Sequence, residues 1–163
     1  MGLFGYSRSE VEDALQRSTR AVLIGGLFHI DHTDDFNLNQ EASAYLYSEM
    51  LSHLIFCIGI VYNHKIFGKK SWATSNFMET CIKREIEAYE KENSFSPGTI
   101  LSPLFKRVYE IKGMSSQDRM ELNHIKESVQ RIYNLDKNAN ITTLKNTFEG
   151  KTRDFVEVLM QRF

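Results

Sequence analysis

Proline is almost missing from this chain: Pro97 and Pro103 are the only two in 163 residues. With no Pro- or Gly-rich linker and no low-complexity run, nothing divides the sequence, and it reads as a single domain over 1–163. Cysteine is equally scarce. Cys57 and Cys81 both fall at apolar helical positions and no C-x-x-C pair exists, which argues against a disulfide framework or a zinc knuckle and makes both thiols reduced core residues. Net charge is lacking too: 20 basic residues against 21 acidic ones leave −1, so no global field draws nucleic acid or anionic lipid. Between Met1 and Arg8 there is no apolar h-region, so no secretory signal is expected. Gly2 is followed by Tyr6 where N-myristoylation wants Ser or Thr. A membrane span is not expected either, because the uncharged run at 50–63 has 14 residues and includes Ser52, His53 and Gly59, short of the roughly 20 apolar residues a span needs. Together these absences predict a cytoplasmic protein.

What is present is globular in character: 42% hydrophobic and 25% charged residues in a chain of one ordinary domain's length. Charge is unevenly placed. Residues 1–64 carry three basic against eight acidic groups, and the remainder carries 17 against 13, an acidic front and a basic back that hint at oriented contact with a partner.

The fold predicted is all-α, a bundle of five to seven helices around a long central hydrophobic helix at about 39–68. Ser7-x-x-Glu10 and Ser9-x-x-Glu12 have capping-box spacing, so a first helix starts near residue 8, with Val11, Ala14, Leu15, Val22 and Leu23 apolar. It ends at Gly25 and Gly26 or passes through them with a close packing contact, and a short strand at 21–24 competes with it. Asn37 and Asn39 are candidate caps for the central helix, whose Leu46, Met50, Leu54, Cys57 and Val61 face inward and Ser48, Glu49 and Ser52 outward, with Gly68 as its stop. A third helix at 75–93 sets Phe77, Met78, Cys81, Ile82, Ile86 and Tyr89 against a solvated run of Lys83, Arg84, Glu87, Glu90 and Lys91. Ser102 and Pro103 read as N-cap and first position of a fourth helix ending at Gly113. Ser115 or Ser116 caps a fifth, with Leu122, Ile125, Val129, Ile132 and Tyr133 inward. The tail divides at Gly150 into a β-branched segment at 141–149 and an amphipathic helix with Phe155, Val156, Leu159, Met160 and Phe163.

Most motifs fail on their chemistry. Gly68-Lys69-Lys70-Ser71 lacks the first glycine of a phosphate loop and follows a helix. Asp136-Lys137-Asn138-Ala139-Asn140 opens like a calcium loop, but Ile141 stands where glycine is needed and Thr147 where the bidentate Glu belongs, which leaves a helix-linking turn. Glu121-x-x-His124 has di-iron spacing without a second copy and reads as a solvated helix face. Glu49, His53, Cys57 and His64 fall near one stripe of the central helix that zinc would accept; the plainer reading makes Glu49 and His53 a helical pair, Cys57 core and His64 a neighbour of the helix C-terminus.

The best metal candidate is the run His29, Asp31, His32, Asp34 and Asp35. Two imidazoles and three carboxylates within seven residues could ligate a divalent metal without help from distant elements. The alternative is that Asp34 and Asp35 cap a turn and favour the helix dipole. Leu27-Phe28-His29-Ile30 with Asp34-Asp35, then Leu38 and Glu41 opening a long helix, resembles the helix-acidic loop-helix signature of tellurite-resistance TerB-like domains, with an echo at Ile111-Lys112-Gly113-Met114-Ser115-Ser116-Gln117-Asp118. That resemblance implies a small all-helical module associated with metal binding and stress responses, and it implicates Asp34, Asp35 and Glu41. The pattern departs at Phe36, where glycine is usual, and at Lys112, where aspartate is.

With no paired nucleophile and base, catalysis is not indicated. The leading expectation is a non-enzymatic cytoplasmic adaptor, inhibitor or regulatory subunit that binds a protein partner or a second copy, with Trp72, Tyr6 and Phe4 as exposed anchors. The alternative is a metal-binding or metal-sensing domain built on the 29–35 loop, or its enzymatic extension, a metal-dependent hydrolase.

Overall fold

The computed structural model describes residues 5–30, 37–120 and 122–162, with backbone alone for 26–30. Helix α1 (Arg8–Ile30) begins at the predicted capping box. The Ser7 amide donates to Glu10 Oε2 at 2.7 Å while the Glu10 amide donates to Ser7 Oγ at 3.2 Å. Residues 21–24 are helical, not strand, and α1 runs on through Gly25. A Cβ at Gly25 would meet nothing within 4 Å, so no close packing contact sits at that glycine; buried Val11, Leu15, Val22 and Leu23 hold the helix instead.

Helix α2 (Gln40–Lys65) is capped by Asn39, whose Oδ1 accepts from the Ala42 amide at 2.8 Å. Helices α3 (Ser75–Glu92) and α4 (Leu101–Lys112) follow. Thr74 caps α3 through the Phe77 amide, but α4 has no side-chain cap of its own and starts before Ser102. The turn leading into it and its first amide are met from α3: the buried Glu90 carboxylate accepts from Gly98 at 3.2 Å, Ile100 at 2.7 Å and Leu101 at 3.3 Å. Glu90, expected on a solvated face, is thus a structural carboxylate that closes the α3–α4 turn.

The expected fifth helix is two. Helix α5 (Ser116–Met120) and helix α6 (Asn123–Leu135) are separated at Leu122, whose φ of 56° is left-handed. The tail is one helix, α7 (Ile141–Arg162), continuous across Gly150. Buried Leu144, Phe148 and Leu159 keep one face against the core, and that packing outweighs the propensity cost of about 1 kcal/mol for an internal glycine. Asp136 ties this half together, with Oδ2 accepting from the Asn39 amide at 2.7 Å and Oδ1 from the Asn138 amide at 3.0 Å. The calcium-like run is therefore a turn that clamps the start of α2.

α1, α4, α6 and α7 all pack against α2, and the described residues contain no strand. This enclosure corrects one expectation. Leu46, Met50, Leu54, Cys57 and Val61 are buried as predicted, but so are Glu49 and Ser52, at 4% and 0% exposure. Among the described residues α2 alone has the length and hydropathy to cross a bilayer, and 72% of that stretch is buried among its neighbours.

Candidate functional site

Helical spacing lays out the site. Glu49, His53 and Cys57 follow at steps of four along α2 with Phe56 and Ile60 beside them, so one side of the helix carries a carboxylate, an imidazole and a thiol among apolar groups. At the level of Glu49, α4 and α6 close over it. Arg107 shares a face of α4 with Leu104, Val108 and Ile111, is 7% exposed, and donates through Nε to Glu49 Oε2 at 3.0 Å. The Ser128 hydroxyl donates to the same oxygen at 2.8 Å, and the Tyr45 hydroxyl to Oε1 at 2.5 Å. Arg107 Nη1 reaches Glu110 at 3.0 Å and Glu127 at 3.2 Å. Burial alone would raise the Glu49 pKa, but the Tyr45 hydrogen bond and the Arg107 charge outweigh it and hold the carboxyl below its ordinary value. The result is an ionised clamp joining α2, α4 and α6 with its hydrogen bonds made.

One turn along, His53 is differently placed. Its Nδ1 lies 2.6 Å from the Glu49 carbonyl oxygen, which can only accept, so Nδ1 carries the proton and Nε2 is left as an acceptor. Among the described residues no hydrogen bond meets Nε2, nor Nδ1 of His124, and both atoms are buried. The two rings stack with centroids 5.1 Å apart and planes 20° from parallel. Phe148 meets His53 edge-on at 5.3 Å, and Phe56 meets His124 edge-on at 6.2 Å. Burial pushes both imidazole pKa values down, that of His124 to about 4 with the nearby His53 and Arg107 adding to it, so both rings are neutral near pH 7.

These rings line a cleft of about 750 Å³ between α2, α5, α6 and α7. Phe56, Leu122, Ile125 and Val156 make its walls apolar, while Ile60 at 46% and Met120 at 83% exposure stand at the lip. Arg119, Arg153, Glu149 and Glu157 add both signs of charge around it. Cys57 also lines the cleft, but burial pushes its thiol up to about 12, which makes it a poor nucleophile. The strained Leu122 backbone lies in the same wall.

The residues predicted as metal ligands are placed otherwise. Asp31, His32, Asp34 and Asp35 lie outside the described residues, as does the side chain of His29; Glu41 is exposed in the first turn of α2. Glu49 and His53 are the helical pair of the plainer reading, Cys57 is buried, and His64 is exposed near the end of α2. Among the described residues no three His, Cys, Asp or Glu side chains are grouped to hold a metal ion. Trp72 and Tyr6, expected as exposed anchors, are partly buried against the core, Trp72 edge-on to Phe77 at 5.3 Å; Phe4 is outside the described residues.

His124 was expected on a solvated face with Glu121, and is instead 7% exposed; Glu121 is outside the described residues. Two signals were readable. Arg107 sits within the apolar stripe of α4, and His124 and Ser128 flank the Ile125–Val129–Ile132 stripe at a spacing of four.

Fold and cleft define a class: an all-helical bundle with an apolar cleft floored by uncharged hydrogen-bonding groups. The chain matches no family model, no curated protein and no solved structure. The TerB-like resemblance stays an expectation carried by the residues quoted for it.

Proposed function

We propose that this chain is a non-enzymatic helical binding module and that the α2–α6–α7 cleft is its binding surface, taking a small aromatic ligand. The observation that carries the reading is the floor of the cleft, where two stacked, neutral, buried imidazoles each hold a nitrogen without a partner. A concave apolar site with a few convergent polar groups is the usual form of a small-molecule site, and about 750 Å³ is within the usual range of roughly 300–1,000 Å³. Binding without chemistry fits the remaining groups. The Cys57 thiol is held protonated, the Thr152 hydroxyl already donates to the Phe148 and Glu149 carbonyls, and Glu49 is engaged by Arg107.

The test is a methyl NMR titration with 2-naphthol up to its solubility limit. Saturable shifts are expected at Met120, Ile60 and Val156, and Ile60→Arg, at an exposed lip position, should abolish them. No saturable shift at these methyls would overturn the cleft as the binding surface.

A further inference from the structure

We infer that the cleft selects an aromatic molecule bearing a hydrogen-bond donor, a phenol or an indole, whose O–H or N–H is given to Nε2 of His53. The inference rests on the cleft reading above and names the ligand's polar group. The geometry of His53 decides it. With Nδ1 at 2.6 Å from the Glu49 carbonyl oxygen, the proton is fixed on that side of the ring, and Nε2 can only accept. A buried acceptor without a partner is among the few such groups that native interiors leave.

Other ligand chemistries fit less well. An ether or carbonyl oxygen would set its lone pairs against that of Nε2. A carboxylate or phosphate could meet Arg119 or Arg153 at the cleft wall but has no proton to give Nε2, and Arg107, the buried arginine beside the imidazoles, is already engaged by Glu49, Glu110 and Glu127. The ring stack of His53 and His124, with Phe148 and Phe56 edge-on to it, gives an aromatic ligand aromatic neighbours, and a phenol or indole combines that body with a single donor.

The experiment compares 2-naphthol with 2-methoxynaphthalene, the same ring system with its hydroxyl capped, by isothermal titration calorimetry on the full chain at pH 7. 2-Naphthol should bind about tenfold more tightly, the size of a hydrogen bond made to an otherwise unpartnered buried group. His53→Phe keeps a ring and removes the acceptor, and should bring the two ligands within about twofold of each other. A preference for naphthol that survives His53→Phe would come from the bulk of the methyl group and would overturn the inference. Equal binding of both ligands to the unaltered protein would overturn donor selection while leaving the cleft reading standing; binding of neither would overturn both. Should His53→Phe fail to fold, the ¹⁵N resonance of His53 Nε2 in the unaltered protein decides. It moves with 2-naphthol and not with the ether if the inference holds, and the same movement with both overturns it.

Discussion

Glu49 and His53 stand one turn apart on α2, both almost wholly buried, and the fold treats them in opposite ways. Glu49 is met by Arg107 from α4, Ser128 from α6 and Tyr45 from its own helix. His53 is met on one nitrogen only. The difference follows from charge. An ionised carboxylate left unpaired in the interior costs several kcal/mol, so three helices converge to satisfy it. A neutral imidazole nitrogen costs about 1–3 kcal/mol when orphaned, little enough for a folded domain to tolerate. The first group ties three helices together, and the second is buried with one nitrogen left unbonded among the described residues.

The sharpest way to break that comparison is to remove each group in turn. Glu49→Ala leaves Arg107 and Ser128 facing an emptied position and should cost about 3–5 kcal/mol in urea denaturation. His53→Phe, which fills the same space and deletes the orphaned nitrogen along with one hydrogen bond, should stay within about 1 kcal/mol of the unaltered protein. Equal losses would mean that both groups are structural.

Acid should separate the stacked imidazoles from the Glu49 carboxylate by the pH at which each fails. The folded pKa of His124, about 4, lies below its unfolded value near 6.5, so the unfolded chain takes the proton first as pH falls. Stability is lost between about pH 6.5 and pH 4, by about 3 kcal/mol from this residue, with His53 shifted in the same direction. Glu49 acts lower. Its depressed carboxyl contributes stability above the ordinary carboxylate value near 4.3, and that contribution disappears only as pH falls through its lower folded value. Urea midpoints at pH 7, 5.5 and 4.5 check this, and His124→Phe should flatten the decline over that interval. An unchanged slope in the variant would remove His124 from the account.

Much of the scaffold was legible because period and caps agree. The Ser7–Glu10 box, Asn39 and the Leu46–Val61 stripe each placed an element correctly. α7 could also have been read as one helix, since Leu144, Phe148, Phe155 and Leu159 recur at steps of four and seven across Gly150. The break at Leu122 could not, because leucine is a good helix former and its identity gives no signal of a φ of 56°. The site was illegible for a related reason. Glu49 and Ser52 look solvated on a single helix, and only when α4 brings Arg107 inward does Glu49 become buried; the stack of His53 on His124 joins residues 71 positions apart. Helical periodicity tells which side chains share a face, not what a distant helix places against it.

The measurement that tests the central claim most directly is a long-range ¹⁵N–¹H correlation spectrum of the histidine side chains in the unliganded protein at pH 7. A neutral His53 with its proton on Nδ1 and Nε2 unprotonated is the predicted result. A proton on Nε2, or an imidazolium, would contradict it and leave the cleft without its acceptor.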